Sequence, residues 1–150
     1  KDKIIIGVGL NNLRKNVASR LSTRYIKAIH PSSVISPNTT ISQGSVIMPM
    51  AIIQTGTYIG KHSIINTRAS VDHDSTIGDF VHISPGVTLC GEVQVGDLSW
   101  IGAGATIIQG ITIGKNVIVG AGSVVIKDIP DNVLVAGNPA VIKKEIPVLR

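Results

Sequence analysis

Cysteine and aromatic residues are scarce in this sequence. Cys90 is the single cysteine among 150 residues, so no disulfide can form within the chain. Proteins without disulfides are typical of reducing compartments, and the cysteine count therefore favours the cytoplasm. Aromatic residues make up 3% of the chain, whereas hydrophobic residues as a whole make up 43%. The core is therefore expected to be aliphatic rather than a cluster of rings.

Long apolar runs are also missing. Gly, Ser, Thr or Asp interrupts every six-residue stretch, so no segment of about 18 apolar residues could form a transmembrane helix. The first nine residues, Lys-Asp-Lys-Ile-Ile-Ile-Gly-Val-Gly, contain no apolar segment followed by a cleavage site, and no signal peptide is predicted. We expect no membrane insertion and a cytoplasmic location.

Acidic residues are fewer than basic ones, with 9 Asp and Glu against 14 Lys and Arg and a net charge of +5. The basic residues form one group between positions 14 and 27, which includes Arg14, and a C-terminal pair, Lys143 and Lys144. No aromatic residues alternate with them to form a stacking platform, which argues against nucleic-acid binding. Attraction of a small phosphorylated ligand is the favoured interpretation of the charge.

An aliphatic residue recurs at every sixth position from Ile29 to Val125. A period of six fits neither an α-helix nor an alternating strand, so the chain must return to the same environment once per hexad. Such a repeat is typical of a parallel β-helix, in which stacked coils bury a column of side chains. The seventeen positions are Ile29, Ile35, Ile41, Ile47, Ile53, Ile59, Ile65, Val71, Ile77, Ile83, Leu89, Val95, Ile101, Ile107, Ile113, Val119 and Val125.

Small residues and glycines follow the same period. A small or β-branched residue lies two positions before each aliphatic residue, from Ser33 to Ser123, and Gly often follows the aliphatic position, as at Gly60 and Gly78. Small side chains suit the places where the walls of a sharply turning coil converge, and Gly suits unusual backbone dihedrals. The repeat resembles that of the hexapeptide acyltransferases, and the resemblance implies a left-handed β-helix with three hexads per triangular coil.

The sequence predicts three parts. Residues 1–28 contain a buried strand over residues 3–6, a glycine turn, and a helix capped by Asn11 or Asn12 that runs to about Arg24. This order is half of a mononucleotide-binding unit, so we expect the C-terminal part of an α/β, Rossmann-like domain. The helix should bury Leu13, Val17 and Leu21. Residues 29–127 form the β-helix of about five coils, and residues 128–150 form a tail.

The segment Val71-Asp72-His73-Asp74-Ser75 stands out among these coils, because ionisable residues are sparse there. A carboxylate beside His73 could orient the imidazole and raise its basicity, as a general base requires. A solvated turn histidine without a role is the alternative.

The surrounding residues make the resemblance specific. Asn66, the pair His73-Asp74, residues 80–86 (Phe-Val-His-Ile-Ser-Pro-Gly) and residues 89–91 (Leu-Cys-Gly) resemble the active-site stretch of bacterial sugar acetyltransferases. That family includes sialic acid O-acetyltransferases and the N-acetyltransferases that act on nucleotide-linked amino sugars. The motif Gly9-x-Asn11-Asn12-x-Arg14 resembles the end of the family's sugar-nucleotide domain, which makes Gly9 a candidate for substrate binding.

The resemblance also implies residue roles and acetyl-CoA as the co-substrate, with no metal. His73 would be the general base, Asp74 its acidic neighbour, and Asn66 would position the acceptor or the histidine. His82 and Gly91 would contact the thioester region of acetyl-CoA, and His82 or a backbone N–H would stabilise the oxyanion.

Three further residues are candidates for cofactor binding. Ala103 and Ala121 lie in the glycine-rich runs 101–104 and 119–122, where the backbone of small-residue corners can approach the pantetheine arm. Lys143 could pair with the CoA phosphates.

His73 and His82 are nine residues apart, which is half of an eighteen-residue coil. The two side chains therefore point to different sides of one prism, and they can share a site only if neighbouring subunits bring them together. The resemblance implies a homotrimer with acetyl-CoA between two prisms. Flat aliphatic faces with few charges point to the same assembly.

Two other functions remain open. His62, His73 and His82 could form a zinc site like that of the γ-class carbonic anhydrases, which share this helix, although the close histidine spacing of those enzymes is missing. A non-catalytic scaffold is the other alternative, but it would need neither the His-Asp pair nor the segment before the first coil. The sequence does not choose between acetylation of an amine and acetylation of a hydroxyl.

Overall fold

The computed structural model describes residues 3–147 and has a three-sided β-helix as its main body. The first face consists of β4 (Val34–Ile35), β7 (Ile52–Ile53), β10 (Ser70–Val71), β13 (Thr88–Leu89), β16 (Thr106–Ile107) and β19 (Val124–Val125). The second consists of β5 (Thr40–Ile41), β8 (Tyr58–Ile59), β11 (Thr76–Ile77), β14 (Gln94–Val95) and β17 (Thr112–Ile113). The third consists of β3 (Ala28–Ile29), β6 (Val46–Ile47), β9 (Ile64–Ile65), β12 (His82–Ile83), β15 (Trp100–Ile101) and β18 (Ile118–Val119), extended by β20 (Val133–Gly137) and β21 (Ala140–Glu145).

Each coil is eighteen residues long. Val71 pairs with Leu89 one coil further on, and Leu89 pairs in turn with Ile107, always in parallel register. Four-residue corners join the faces. We call residues 54–57, 72–75, 90–93 and 108–111 the first corner, which leads from the first face to the second. The second corner comprises residues 42–45, 60–63, 78–81, 96–99 and 114–117. The third comprises residues 30–33, 48–51, 66–69, 84–87, 102–105 and 120–123.

The predicted aliphatic column is the core. From Ile47 to Val125 every member is at most 2% exposed, whereas Ile29 is 44% exposed because the first coil has no coil beneath it. The predicted β-helix is therefore confirmed, but the third face stacks seven parallel strands from β3 to β20, more than the five coils predicted.

The small residues before the column are buried as well, and several of them bind the next coil. Ser63 Oγ donates a hydrogen bond to the Gly78 carbonyl at 2.7 Å, and Ser99 Oγ does the same to the Gly114 carbonyl at 2.7 Å. The glycines that follow the aliphatic column were predicted to adopt unusual backbone dihedrals, but they have a different role. A side chain at Gly60 would place its Cβ 2.4 Å from the Gly78 carbonyl oxygen, so close stacking of coils, not an unusual dihedral, requires Gly there.

The segment before the coils forms β1 (Lys3–Ile4), α1 (Asn11–Arg20) and β2 (Arg24–Tyr25), and β1 pairs with β2 in parallel. The predicted order of strand and helix is present, but the strand is shorter and the helix ends at Arg20. Leu10 is the N-cap and has no side-chain capping bond. The prediction of an Asn11 or Asn12 cap was therefore wrong: Asn11 is inside the helix and its amide binds the coils.

The predicted apolar face of α1 was also wrong. Leu13 and Leu21 are 48% and 43% exposed, and the buried residues are Asn11 and Arg14. The reason is that α1 packs against the second corner, which presents backbone carbonyl groups rather than an aliphatic surface.

The C-terminal residues add a hairpin to the third face. β20 pairs with β18 in parallel and with β21 in antiparallel fashion, and a cis peptide bond joins Asn138 and Pro139 between them. Residues 1–2 and 148–150, which fall in the first and last predicted parts, lie outside the described residues. Within residues 3–147, no helix is long and apolar enough to span a membrane.

Candidate active site

His73 and Asp74 lie together on the first corner. His73 Nδ1 is 2.9 Å from Asp74 Oδ2, and the Asp72 side chain accepts a hydrogen bond from the His73 backbone N–H at 2.8 Å. Because Asp74 has a φ of 57°, its side chain folds back towards the preceding residue, a conformation that Asp tolerates better than most residues. The corner thus presents a histidine whose ring is oriented by its own neighbour.

The hydrogen bond to Asp74 raises the pKa of His73 above its ordinary value, partly opposed by desolvation, and the charges of Asp72, Asp74 and Glu92 act in the same direction as that bond. A carboxylate can only accept, so Nδ1 carries the proton in the neutral ring. Nε2 is then the unprotonated nitrogen and can accept a proton from a bound group. The ring is half exposed, which leaves this nitrogen accessible.

Gly91 lies one coil above His73 on the same corner. A Cβ at Gly91 would be 2.7 Å from both Nε2 and Cε1 of His73, closer than real side chains approach. The imidazole can therefore occupy this position only because residue 91 has no side chain. The structure brings Gly91 to the predicted base and not to His82.

His82 projects from the third face and is held by Asn66. The Thr67 N–H donates to Asn66 Oδ1 at 2.8 Å, which orients the amide so that Nδ2 faces His82 Nε2 at 3.0 Å. Asn66 therefore donates and His82 Nε2 accepts, so the proton of the neutral ring is on Nδ1. In this arrangement Asn66 positions His82 and not His73. His82 Nδ1 is buried and the Gly9 backbone lies near the ring, so neither ring nitrogen presents a donor to an oxyanion.

Trp100 covers the His82 ring. The two rings stack at 5.3 Å between centroids with an angle of 11° between planes, and Trp100 Nε1 donates to Ser84 Oγ at 2.7 Å. Burial lowers the pKa of His82, the charge of Arg14 lowers it further, and the Gly9 backbone acts in the opposite direction. His82 is therefore a neutral, fixed ring at physiological pH.

A cavity of about 450 Å³ lies beside this pair. It is lined by His82, Trp100, Ala103 and Ala121, together with Ser84, Pro85, Gly102, Ile118, Val119 and Gly120. Three of the residues predicted to bind the cofactor thus meet in one depression with an apolar floor. A depression of this size is in the range of small-ligand sites.

The other predicted residues do not line this cavity. Gly9 is in the loop before α1, where its backbone acts on His82 and its carbonyl accepts from Arg14; a Cβ at Gly9 would meet nothing within 4 Å. Lys143 is exposed on β21. His73 is on the first corner and His82 on the third face, as their half-coil separation predicts, so a single chain does not bring them together.

Comparisons with known proteins identify the family and similar solved structures. The profile of the bacterial transferase hexapeptide family (six repeats) matches residues 92–127. The acetyltransferase domain of PglB from Neisseria gonorrhoeae, solved with acetyl coenzyme A, is 43% identical with a TM-score of 0.90 over 93% of this chain and 70% of that chain. PerB from Caulobacter crescentus, solved with CoA and GDP-perosamine, is 41% identical with a TM-score of 0.93 over 95% and 70%.

WeeI from Acinetobacter baumannii is 33% identical with a TM-score of 0.90 over 93% of this chain and 70% of its own. A comparison with curated proteins found no match. The chain belongs to the hexapeptide-repeat sugar acetyltransferases. Its length corresponds to 70% of these relatives.

The three histidines of the zinc alternative lie on different parts of one chain: His62 is on the second corner, His73 on the first corner and His82 on the third face. Within the described residues 3–147, no three His, Cys, Asp or Glu side chains are grouped as ligands. His62 is buried between Tyr25, at 4.4 Å, and Phe80, which stacks on it at 5.0 Å. Burial lowers the pKa of His62, the charges of Arg14 and Lys61 lower it further, and the charge of Asp79 acts in the opposite direction.

Sequence reasoning missed the importance of Arg14 and Asn11. Arg14 was placed in the motif Gly9-x-Asn11-Asn12-x-Arg14 and among the basic residues that attract a phosphorylated ligand, but its burial was not predicted: it is 1% exposed and bound to backbone oxygens. The available signal was the spacing of Asn11 and Arg14, three apart on one face of a helix whose leucines project elsewhere.

Proposed function

We propose that the protein transfers acetyl from acetyl-CoA to the amine of a nucleotide-linked amino sugar. The observation that carries the proposal is the His73–Asp74 pair, which leaves Nε2 as an oriented base on the fold of a sugar acetyltransferase. Two similar structures support the substrates, since one contains acetyl-CoA and another contains CoA with GDP-perosamine.

In the proposed reaction the sugar amine attacks the thioester carbonyl while His73 Nε2 accepts its proton. The C–N bond forms as the carbonyl becomes an oxyanion, and the C–S bond then breaks to give the acetamide. Protonated His73 returns the proton to the leaving sulfur, so the ring acts first as base and then as acid. No covalent acyl-enzyme is needed.

A backbone N–H is the proposed donor to the oxyanion. The predicted alternative, His82, has Nε2 occupied by the Asn66 amide and Nδ1 buried. We assign His82 instead to the wall against which the thioester arm lies. The cavity with Ala103 and Ala121 would take the pantetheine arm, and Lys143 would meet the phosphates.

A complete site would need a neighbouring subunit, because His73 and the His82 cavity lie on different sides of one chain. We therefore propose a homotrimer in which the first corner of one chain faces the third face of the next. We also propose that the coil is left-handed. Residues 3–28 are proposed to be the end of a Rossmann-like sugar-nucleotide domain, and the order β1, α1, β2, with β1 and β2 in parallel, supports this assignment. The cytoplasmic location stays a prediction based on the cysteine count.

The test is release of free thiol from acetyl-CoA in the presence of acceptor sugars. The panel would contain GDP- and UDP-linked amino sugars, the matched nucleotide sugars with a hydroxyl in place of the amine, and sialic acids. We expect thiol release with at least one amino sugar and none with its hydroxyl counterpart. Thiol release with sialic acid alone would replace the proposal by O-acetylation. If no acceptor in the panel gives thiol release, the scaffold is favoured.

A further inference from the structure

Arg14 is a buried cation that the proposed reaction does not use. Its guanidinium donates to the His62 carbonyl at 2.7 Å, to the Phe80 carbonyl at 3.0 Å and to the Val81 carbonyl at 3.4 Å. It also donates to the carbonyls of Val8 and Gly9, at 2.9 and 2.8 Å. One side chain thus joins the loop before α1 to two successive turns of the second corner.

Asn11 extends this contact to a third coil. Asn11 Oδ1 accepts from Arg14 at 2.8 Å, while its Nδ2 donates to the carbonyls of Leu98 and Ser99 at 3.0 and 3.1 Å. The bound carbonyls lie on three consecutive coils of the same corner. The Val81 and Ser99 carbonyls also accept from the backbone N–H groups of Ile64 and His82, so the two side chains share these oxygens with the β-helix ladder.

No acidic side chain within residues 3–147 pairs with the charge of Arg14. Within residues 3–147, it takes part in neither of the two ion pairs closer than 4.0 Å. Desolvation lowers its pKa to about 10, so the group stays charged at neutral pH. Burying a cation among neutral oxygens is unfavourable compared with apolar packing, and such groups are retained mainly where they fix one arrangement.

The corner that Arg14 and Asn11 bind leads directly into the candidate site. The Val81 carbonyl, which accepts from Arg14, belongs to the residue before His82, and the Ser99 carbonyl, which accepts from Asn11, to the residue before Trp100. The backbone next to both stacked rings is therefore held by these two side chains. On the other side of Arg14 lies Gly9, the predicted sugar-binding residue. A second cavity of about 340 Å³ lies here, lined by Leu10, Asn11, Asn12, Leu13, Leu98, Trp100, Asn116 and Ile118, and it shares Trp100 and Ile118 with the cavity beside His82.

We propose that Arg14, together with Asn11, is a positioning residue that fixes residues 8–12 against the corner below His82 and Trp100, and thereby sets the sugar relative to the thioester. Only the expected change in the sugar KM rests on the proposed function. The fixed loop and the fixed His82 ring are properties of the unliganded chain.

The first experiment compares Arg14→Lys, Arg14→Gln and Asn11→Ala with Arg20→Gln, a control that removes a charge from the last turn of the same helix. Lys keeps the charge but cannot reproduce the planar fork of donors. We expect the KM for the nucleotide sugar to rise about 10- to 100-fold in Arg14→Lys and Arg14→Gln and less in Asn11→Ala. The KM for acetyl-CoA should change less than about threefold, because the pantetheine cavity is not bound by Arg14.

The second experiment is independent of activity. The His82 ring is titrated by NMR, and exchange is followed at the amides of residues 14–17, which begin with the bond from the Arg14 N–H to the Leu10 carbonyl. Burial and Arg14 lower the pKa of His82, and Arg14 is the one charged group among the described residues that acts on it. Arg14→Gln should therefore raise the His82 pKa, Arg14→Lys should leave it low, and both should speed amide exchange in residues 14–17. The Arg20 control should match the wild type.

Folded Arg14→Lys and Asn11→Ala proteins with wild-type amide exchange, or with sugar KM within twofold of the wild type in an active enzyme, would overturn the inference. If Arg14→Gln does not fold, Asn11→Ala decides, because it leaves five of the six Arg14 contacts in place. If the wild type transfers no acetyl group, the proposed function fails, whereas exchange and titration still decide whether Arg14 positions the loop.

Discussion

Gly91 and His73, eighteen residues apart, are in contact across one coil. The Gly91 Cα faces the ring so closely that a Cβ would lie 2.7 Å from His73 Nε2. The backbone of Gly91 is outside the left-handed region, so alanine is acceptable to the chain itself. Its added methyl group would act on the base alone, which makes Gly91 a probe of where the imidazole must lie.

Gly91→Ala should reduce kcat/KM about 10- to 100-fold, because the ring must move by several tenths of an ångström or more from its productive position. Unfolding by urea should change little, since a half-exposed ring can rotate away. Gly7→Ala is the matched control, because its Cβ would meet nothing within 4 Å. A Gly91→Ala enzyme with normal turnover would mean that the observed ring position is not the active one.

His73→Ala should reduce kcat/KM by about 10²–10⁴-fold, the usual contribution of a positioned general base. The β-helix should be unaffected, because the side chain belongs to a corner and not to the aliphatic column. Steady-state kinetics and thermal unfolding measured on the same preparation check both statements. Near-normal turnover in a folded variant that still binds acetyl-CoA would rule out His73 as the base.

Asp74→Asn should move the rising limb of the pH profile to lower pH. The hydrogen bond to Asp74 raises the pKa of His73, and the base works only when neutral, so the wild-type rate rises with pH through this raised pKa. Removing the carboxylate lowers the pKa and also weakens the base, so the plateau should fall.

The measurement is kcat/KM for the sugar from pH 5 to 9, with Glu145→Gln on the exposed hairpin as control. Linkage has the corresponding sign: a raised His73 pKa stabilises the fold below the unfolded-state pKa, and this contribution disappears as pH rises through the folded-state value. An unshifted limb in Asp74→Asn would show that another group controls the rate.

A mixture of His73→Ala and His82→Ala chains should recover activity above that of either variant alone. In a trimer whose sites combine the first corner of one chain with the third face of the next, every mixed trimer has about one intact site in three. The chains are co-expressed with different tags, and mixed trimers are purified through both. Absence of recovery in mixed trimers, or an active monomer by light scattering, would contradict the shared site.

Ile77→Ala should lower the free energy of unfolding by about 2–5 kcal/mol, because Ile77 is 0% exposed and the stacked coils cannot close the cavity. Thr76→Ala, on the outward side of the same strand, should change it by less than about 0.5 kcal/mol. Urea titration measures both. Equal effects would mean that the column does not dominate the stability of the coils.

Much of the site could be predicted from the coil length. Residues eighteen apart stack, so the contacts of His73 with Gly91 and of His82 with Trp100 follow from numbering once the repeat is known. The Asn66–His82 bond could not be predicted, because its direction depends on an amide orientation that Thr67 fixes. The docking of α1 was predicted wrongly, since a helical pattern identifies an apolar face but not a partner surface made of carbonyls.

The sequence by itself determined the β-helix, its aliphatic column and the separation of His73 from His82. This was possible because every hexad places its aliphatic residue in the same environment, so the periodic pattern becomes clearer with each repeat. The tertiary structure alone decided that Asn66 serves His82, that Gly91 makes room for the base, and that Arg14 is buried beneath the site. These depend on where non-repeating side chains meet backbone groups distant in sequence, and no periodic pattern encodes such contacts.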